Sequence, residues 1–523
     1  MNKSVVIRTG LIILSGLLAQ TAMAARIADI QNTRHNFSAN PVYSNTLPTG
    51  QTRDTRALDE GQICVFCHTP HAAERTQTPI WNRALSTATY NTYNTSSLDS
   101  TPTGIALDQP NGISKLCLSC HDGTMAIGAV NVLNGSFTDR DPNTEDIVMV
   151  GTSPGGRMAP GEGIDTGFTR YLGTDLTNDH PISVVFDANL ALNDGEMRNP
   201  SAEQHLIVRG APGEQRPLVD DIPLELTPLT STGGLVQCNS CHDPHIRDTT
   251  DENIKFLRLN RLQKADPVDG AFSKTNDIIC LACHIKAGWA KSAHANSLVA
   301  DEIYTAAAAA VREFAPNTQV WESACLACHD THTVVGSRRL LREGVDGPVQ
   351  TSASGYQIKQ GTGQFAIEET CYACHSADRA TLEGQGTTGF QVPDIKTDFT
   401  TMQRHMPITS ADQAGSFEVH DIGSNNPDVP MQRGKDFVED PVLMGRGALI
   451  NRHAECTDCH NIHRVIKNRI FNADAAVPDV AGTHDHTAPH TNIASGVLKG
   501  IWGVEPVYTD TDFNVDPLTF TVK

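Results

Sequence analysis

Seven copies of the pattern Cys-x-x-Cys-His run along the chain, and together they use all fourteen of its cysteines. They are Cys64, Cys67 and His68; Cys117, Cys120 and His121; Cys238, Cys241 and His242; Cys280, Cys283 and His284; Cys325, Cys328 and His329; Cys371, Cys374 and His375; and Cys456, Cys459 and His460. Cysteines at i and i+3 fall on one side of a single helical turn, where both thiols can add to the vinyl groups of one porphyrin. The histidine that follows is then carried over the ring face and can bind its iron. A redox disulfide or half of a zinc ribbon also uses Cys-x-x-Cys, but neither needs a histidine directly after the second cysteine. All seven pairs have one, in a chain with 21 histidines among 523 residues. The pattern therefore implies seven covalently attached haems of the c type.

Fourteen further histidines remain for the opposite faces of seven irons. Four of them, His71, His245, His332 and His463, stand three residues after a motif histidine. Such a residue cannot reach the far face of its own haem without doubling back, but it can reach a haem packed alongside. His294, His405 and His453 are further candidate ligands. His205 and His420 read instead as core or surface residues, and His484, His486 and His490 as part of a solvated tail. Two imidazoles on one iron leave no place for a substrate, so irons held in this way change oxidation state and transform nothing.

Residues 1–24 combine Lys3 and Arg8, an apolar run from Leu11 to Ala19, and Ala22-Met23-Ala24, which together predict an export signal. The apolar run is too short for a membrane span, and no later stretch comes close to the required length. The mature protein is thus expected in the periplasm or outside the cell. In such an oxidising compartment cysteines would ordinarily read as disulfides, a reading that the motif overrides. Loss of Lys3 and Arg8 takes the net charge from −20 to −22, which excludes nucleic acid and anionic membranes as natural partners. A basic redox protein or a cationic or mineral electron acceptor suits it, and so does no specific partner at all.

Aromatic residues make up only 5% of the chain, against 41 glycines and 28 prolines, too few to build large conventional cores. The expected fold is mostly irregular coil with short helices wrapped around a stacked haem chain. The Ala-rich run from Leu298 to Phe314, stopped by Pro316, has helix-forming composition. The tail alternates through Val507, Phe513, Val515, Leu518 and Phe520, which suits a strand pairing within or between subunits as well as a disordered polar tail.

Over residues 30–290 the segments His35-Asn-Phe-Ser38, Cys64-Val-Phe-Cys67-His68-Thr-Pro-His71, Pro79-Ile-Trp-Asn82, Ser114-Lys-Leu-Cys-Leu-Ser-Cys-His-Asp-Gly-Thr124, Asn178-Asp-His-Pro-Ile-Ser183, Cys238-Asn-Ser-Cys-His-Asp-Pro-His245 and Cys280-Leu-Ala-Cys-His284 occur in this order. The series resembles the secreted tetrahaem cytochromes of metal-reducing bacteria, including those that polymerise into extracellular haem filaments. The resemblance implies His35, His71, His180 and His245 as the second ligands of the first four haems, and a homopolymer as one assembly. It leaves open which histidine serves which iron. The doubled motifs of the second half are those of multihaem cytochromes in general. The chain then divides into a signal peptide (1–24), a tetrahaem segment (25–297), a trihaem segment (298–463) and a haem-free extension (464–523).

Three readings follow. One is a non-enzymatic electron carrier, and a second, its special case, is the subunit of a conductive filament. The third is a multihaem oxidoreductase acting on a small nitrogen or sulfur oxyanion at one open-faced haem, although enzymes of that kind often carry a Cys-x-x-Cys-Lys site and this chain has none.

Overall fold

In the computed structural model the described residues are 26–40, 53–74, 80–93, 98–101, 107–161, 167–208, 224–227, 233–248, 255–286, 288–334 and 340–342, with only short pieces beyond these, as far as 519–522. The signal segment, His405, His453 and the seventh motif from Cys456 to His460 lie outside them.

Regular structure among the described residues is sparse. The α-helices are α1 (Gly112–His121), α2 (Ala188–Asp194), α3 (Cys238–Cys241), α4 (Ala306–Val311) and α5 (Val320–Ser323). Helix α2 shows why they stay short. The Asp187 side chain accepts from the Asn189 and Leu190 amides at its start, and Gly195, in the left-handed conformation (φ 73°), ends it within two turns. Helix α4 is shorter than the Ala-rich run that predicts it. Thr305 caps it at Ala308, while Ile303 and Tyr304 upstream are held extended by bridges to Gln319 and Leu382. Helical propensity yields there to packing of the Tyr304 ring in the core.

Strands come in two-stranded ribbons that tie distant parts together. Arg26–Ala28 pairs antiparallel with Ile246–Asp248, Arg56–Ala57 with Met149–Val150, and Val184–Asp187 with Gly233–Val236. Leu206–Val208 runs parallel to Leu224–Leu226. In the C-terminal extension, Val504–Val507 pairs with Thr519–Val522 of the same chain, so Val507 and Phe520 sit in a ribbon. Phe513, Val515 and Leu518 lie outside the described residues.

Instead of one core there are several small ones among the described residues, three of them beside motif cysteines. Phe37, Phe66, Ile127, Ile147 and Met149 pack against Cys67 and Cys120. Phe186, Leu206, Leu224, Leu226 and Ala282 pack against Cys283. Ile278, Trp289, Tyr304, Phe314 and Leu326 pack against Cys280, Cys325 and Cys374.

Loops that lack ladders still need partners for their buried carbonyls. Arginine supplies many of these. Arg83, fully buried, donates to the carbonyls of Ala126 and Ile127, and Arg261 donates to those of Arg312 (2.6 Å) and Glu313 (2.6 Å). Next to the Arg83 contacts the chain folds against itself at Gly128, where a Cβ would stand 1.8 Å from the Ile147 carbonyl oxygen. Replacing Gly128 with alanine should therefore cost about 1–3 kcal/mol, seen as a lowered midpoint in chemical denaturation; an unchanged midpoint would contradict this packing.

Candidate metal centres

Five of the described motifs close one turn in the same way. The histidine amide donates to the carbonyl of the first cysteine at 2.8 Å (His68, His375) or 2.9 Å (His242, His284, His329), which puts both thiols on one side of the turn. His121 ends α1, which carries Cys117 and Cys120.

A second device fixes four of these turns from outside. The Asn82 amide donates to the Cys67 carbonyl (2.9 Å) and its side chain to the Val65 carbonyl (2.7 Å). Arg258 makes the same two bonds to Cys241 (2.8 Å) and Asn239 (2.8 Å), and Arg342 to Cys328 (2.8 Å) and Leu326 (2.8 Å). Arg198 does so for Cys283 (2.7 Å) and Leu281 (2.8 Å). In each case one residue clamps the carbonyl of the residue after the first cysteine and the carbonyl of the second cysteine. These clamps are absent from the sequence reading, because Arg198 lies far upstream of its motif while the other three lie downstream.

The motif histidines do not stand alone. His68 faces His245 with ring centres 6.1 Å apart, His121 faces His35 at 6.2 Å, and His242 faces His332 at 6.2 Å. His284 faces His180 at 6.3 Å, His329 faces His463 at 6.3 Å, and His375 faces His294 at 6.2 Å. Two metal–imidazole bonds of about 2 Å, with roughly 1.1 Å from each ring centre to its nitrogen, span about 6.2 Å. One metal ion fits between each pair. We number these sites 1 to 6 by the order of their motifs.

The pairs alternate in geometry. At sites 1, 3 and 5 the ring planes are close to parallel, 20°, 30° and 13° apart. At sites 2, 4 and 6 they are near perpendicular, at 72°, 73° and 73°. The source of the second histidine alternates in step. His245, His332 and His463, each three residues after the histidine of motif 3, 5 or 7, face the site two motifs back. The even sites draw on His35, His180 and His294, which stand apart from any motif.

Burial holds seven of these rings in the ligating form. Burial, with neighbouring imidazoles adding to it, lowers His35, His284 and His463 to about 3 and His242 to about 4. His121, His180 and His294 are lowered by burial too. Neutral imidazole is what a metal requires. Several rings also have one nitrogen engaged by an acceptor. His121 Nδ1 donates to the Arg170 carbonyl (2.7 Å), His242 Nδ1 to the Lys255 carbonyl (2.7 Å) and His180 Nδ1 to the Pro181 carbonyl (3.0 Å). A carbonyl only accepts, so Nδ1 carries the proton and Nε2 keeps its lone pair for a metal. At His245 and His332 the acceptors are carboxylates, Asp243 at 2.9 Å and Asp179 at 3.1 Å. Burial lowers His332, but Asp179 and Asp330 outweigh it and raise its pKa.

The thiols connect neighbouring sites. Cys67 is near Cys120, Cys241 near Cys280, and Cys328 near Cys374, and burial with these neighbours pushes Cys67, Cys241 and Cys328 up to about 12. Cys117 is hydrogen-bonded with Cys238, and Cys280 with Cys325, so within each pair one thiol is raised and its partner lowered. Sites 1 to 6 thus form a row in sequence order. Thiols raised to about 12 are poor nucleophiles for disulfide exchange. Among the described residues every cysteine is free, and no three or more metal-ligating side chains converge as a zinc site would require. Two thiols on one side of a turn, with two imidazoles facing each other, are the donors that a covalently attached haem uses.

The remaining candidates fall elsewhere. His71 is exposed and faces no imidazole among the described residues; the place opposite His242 belongs to His332. The pairs His242 with His332 and His375 with His294 cross the division drawn at residue 297, so side chains interlock the tetrahaem and trihaem segments. His205 is a core residue, with Nε2 on the Ala282 carbonyl (2.8 Å) and its ring against Phe272.

No protein-family model matches the chain, and no curated protein matches it. Replacing Arg198 with alanine should cost about 2–4 kcal/mol, since the Leu281 and Ala271 carbonyls lose their donor (2.8 and 2.7 Å). Denaturation midpoints would register the loss, and wild-type stability would argue against the clamp.

Proposed function

We propose that this chain is a seven-haem c-type cytochrome that carries electrons along a row of irons, six of them held between the imidazole pairs described above. The observation that carries the reading is that every motif histidine from His68 to His375 faces a second imidazole at 6.1–6.3 Å. When bound, haem supplies a one-electron iron(III)/iron(II) couple. The two thiols of each motif would hold the haem, the facing imidazoles would bind its iron, and the Nδ1 partners would orient those imidazoles. Filled axial positions favour carriage over catalysis. The oxidoreductase reading needs an open iron, and the seventh motif at Cys456, Cys459 and His460 is the place left for one.

The expected export signal puts this traffic in the periplasm or outside the cell, and among the described residues no helix is long and apolar enough to cross a membrane. The acidic surface favours a basic redox partner or a cationic or mineral acceptor over nucleic acid.

The filament reading rests on His71. It has the same offset as His245, His332 and His463, which each reach two sites back, but its own site is the first in the row. An exposed imidazole there is suited to an iron of a second copy. Replacing His71 with alanine should abolish filaments in electron micrographs while leaving the haem content unchanged, and filaments of wild-type length in that variant would remove this assembly.

Electron paramagnetic resonance of the oxidised protein tests the main reading. Parallel axial rings split the iron d orbitals more than perpendicular ones do, so the six sites should give two classes of low-spin signal in equal amounts, rhombic for the odd sites and large-g-max for the even. Neither class should bind carbon monoxide after reduction. A high-spin majority, or carbon monoxide uptake by several haems, would contradict carriage and turn the search to substrates.

A further inference from the structure

Asp179 stands beside one site and carries the ligand of the next. Its neighbour His180 faces His284 at site 4, while its own Oδ1 accepts from His332 Nδ1 (3.1 Å), the second ring of site 3. Backbone pairing fixes this arrangement. The His180 amide donates to the Thr331 carbonyl (2.8 Å), the Val334 amide to the Asn178 carbonyl (3.2 Å), and the Thr333 amide to Asp179 Oδ1 (3.2 Å). The carboxylate is 4% exposed, and its Oδ2 is buried with no hydrogen-bond partner. No salt bridge to a lysine or arginine offsets its charge among those described; the nearby Asp330, by contrast, pairs with Arg342.

The other carboxylate that holds a facing histidine is placed differently. Asp243 accepts from His245 at site 1, but Arg258 stands 3.6 Å from its Oδ2, and the His245 side chain is 52% exposed. The Nδ1 partners at His121, His180 and His242 are neutral carbonyls.

We propose that Asp179 is a redox-tuning residue that lowers the reduction potential of the iron held between His242 and His332. The inference rests on the haem reading above. A carboxylate on Nδ1–H pulls the proton away from the ring and makes Nε2 a stronger donor, and a stronger, more anionic donor stabilises iron(III) over iron(II). Burial without a countercharge keeps the full field of Asp179 on that iron. Asp243 has the same bond but shares its charge with Arg258 and with water, so its effect on site 1 is smaller.

The test is a spectroelectrochemical titration of the full chain and of the D179N, D179E and D243N variants, with haem content and low-spin resonance recorded for each. Asparagine keeps an oxygen acceptor and removes the charge. In D179N one one-electron component should shift upward, by more than any component does in D243N, with haem content and the low-spin signals retained; D179E should bring that component back towards wild type. An unmoved titration curve in D179N overturns the proposal. So does loss of a haem or of low-spin character in D179N, which would make Asp179 a purely positioning residue. Wild-type protein without haem would instead sink the cytochrome reading itself, an outcome that haem content alone distinguishes.

Discussion

The imidazole pair is the contact on which the rest of the structure depends, because its two halves come from different stretches of chain. His35 meets His121, His332 meets His242, and His463 meets His329, so each site closes a long loop. Closing loops costs entropy that this chain, with short helices and two-stranded ribbons, has little secondary structure to offset. A metal shared by each pair would contribute that stability locally, site by site. The small separate cores beside the cysteines follow the same division of labour.

The alternation of ring geometry is the second organising fact. Odd sites receive a histidine that stands three residues after the motif two places on, and that linkage ties motifs 1, 3 and 5 to one another. Even sites receive a histidine from outside the motifs, and their rings cross. Among the described residues this plan leaves one histidine of the repeating kind, His71, without a facing imidazole.

Much of this was legible in the residues. The turns of the six described motifs follow from their spacing, and His245, His332 and His463 stood out by their offset from a motif histidine. His35 and His180 were implied by the resemblance of the first half to tetrahaem secreted cytochromes. What spacing could not fix was the pairing, since which iron a histidine reaches depends on where the loop between them runs. The clamps were invisible for a related reason. Arg198 and Arg258 do the same work from opposite sides of their motifs, and their signal is a backbone carbonyl, which no side-chain pattern records. The helix expected over the Ala-rich run was shortened by the packing of Tyr304, a tertiary effect outside any local propensity. Asp179 could be seen only as the neighbour of a candidate ligand; its bond to His332 joins residues far apart in sequence.

The measurement that bears most directly on the account is an experimental density map of the purified protein at a resolution that shows side chains. The account predicts a porphyrin at each of the six described motifs, joined to both cysteines, with its iron midway between the rings named here, from His68 with His245 through to His375 with His294. Irons ligated by other residues, or motif turns that hold a different metal or none, would contradict it.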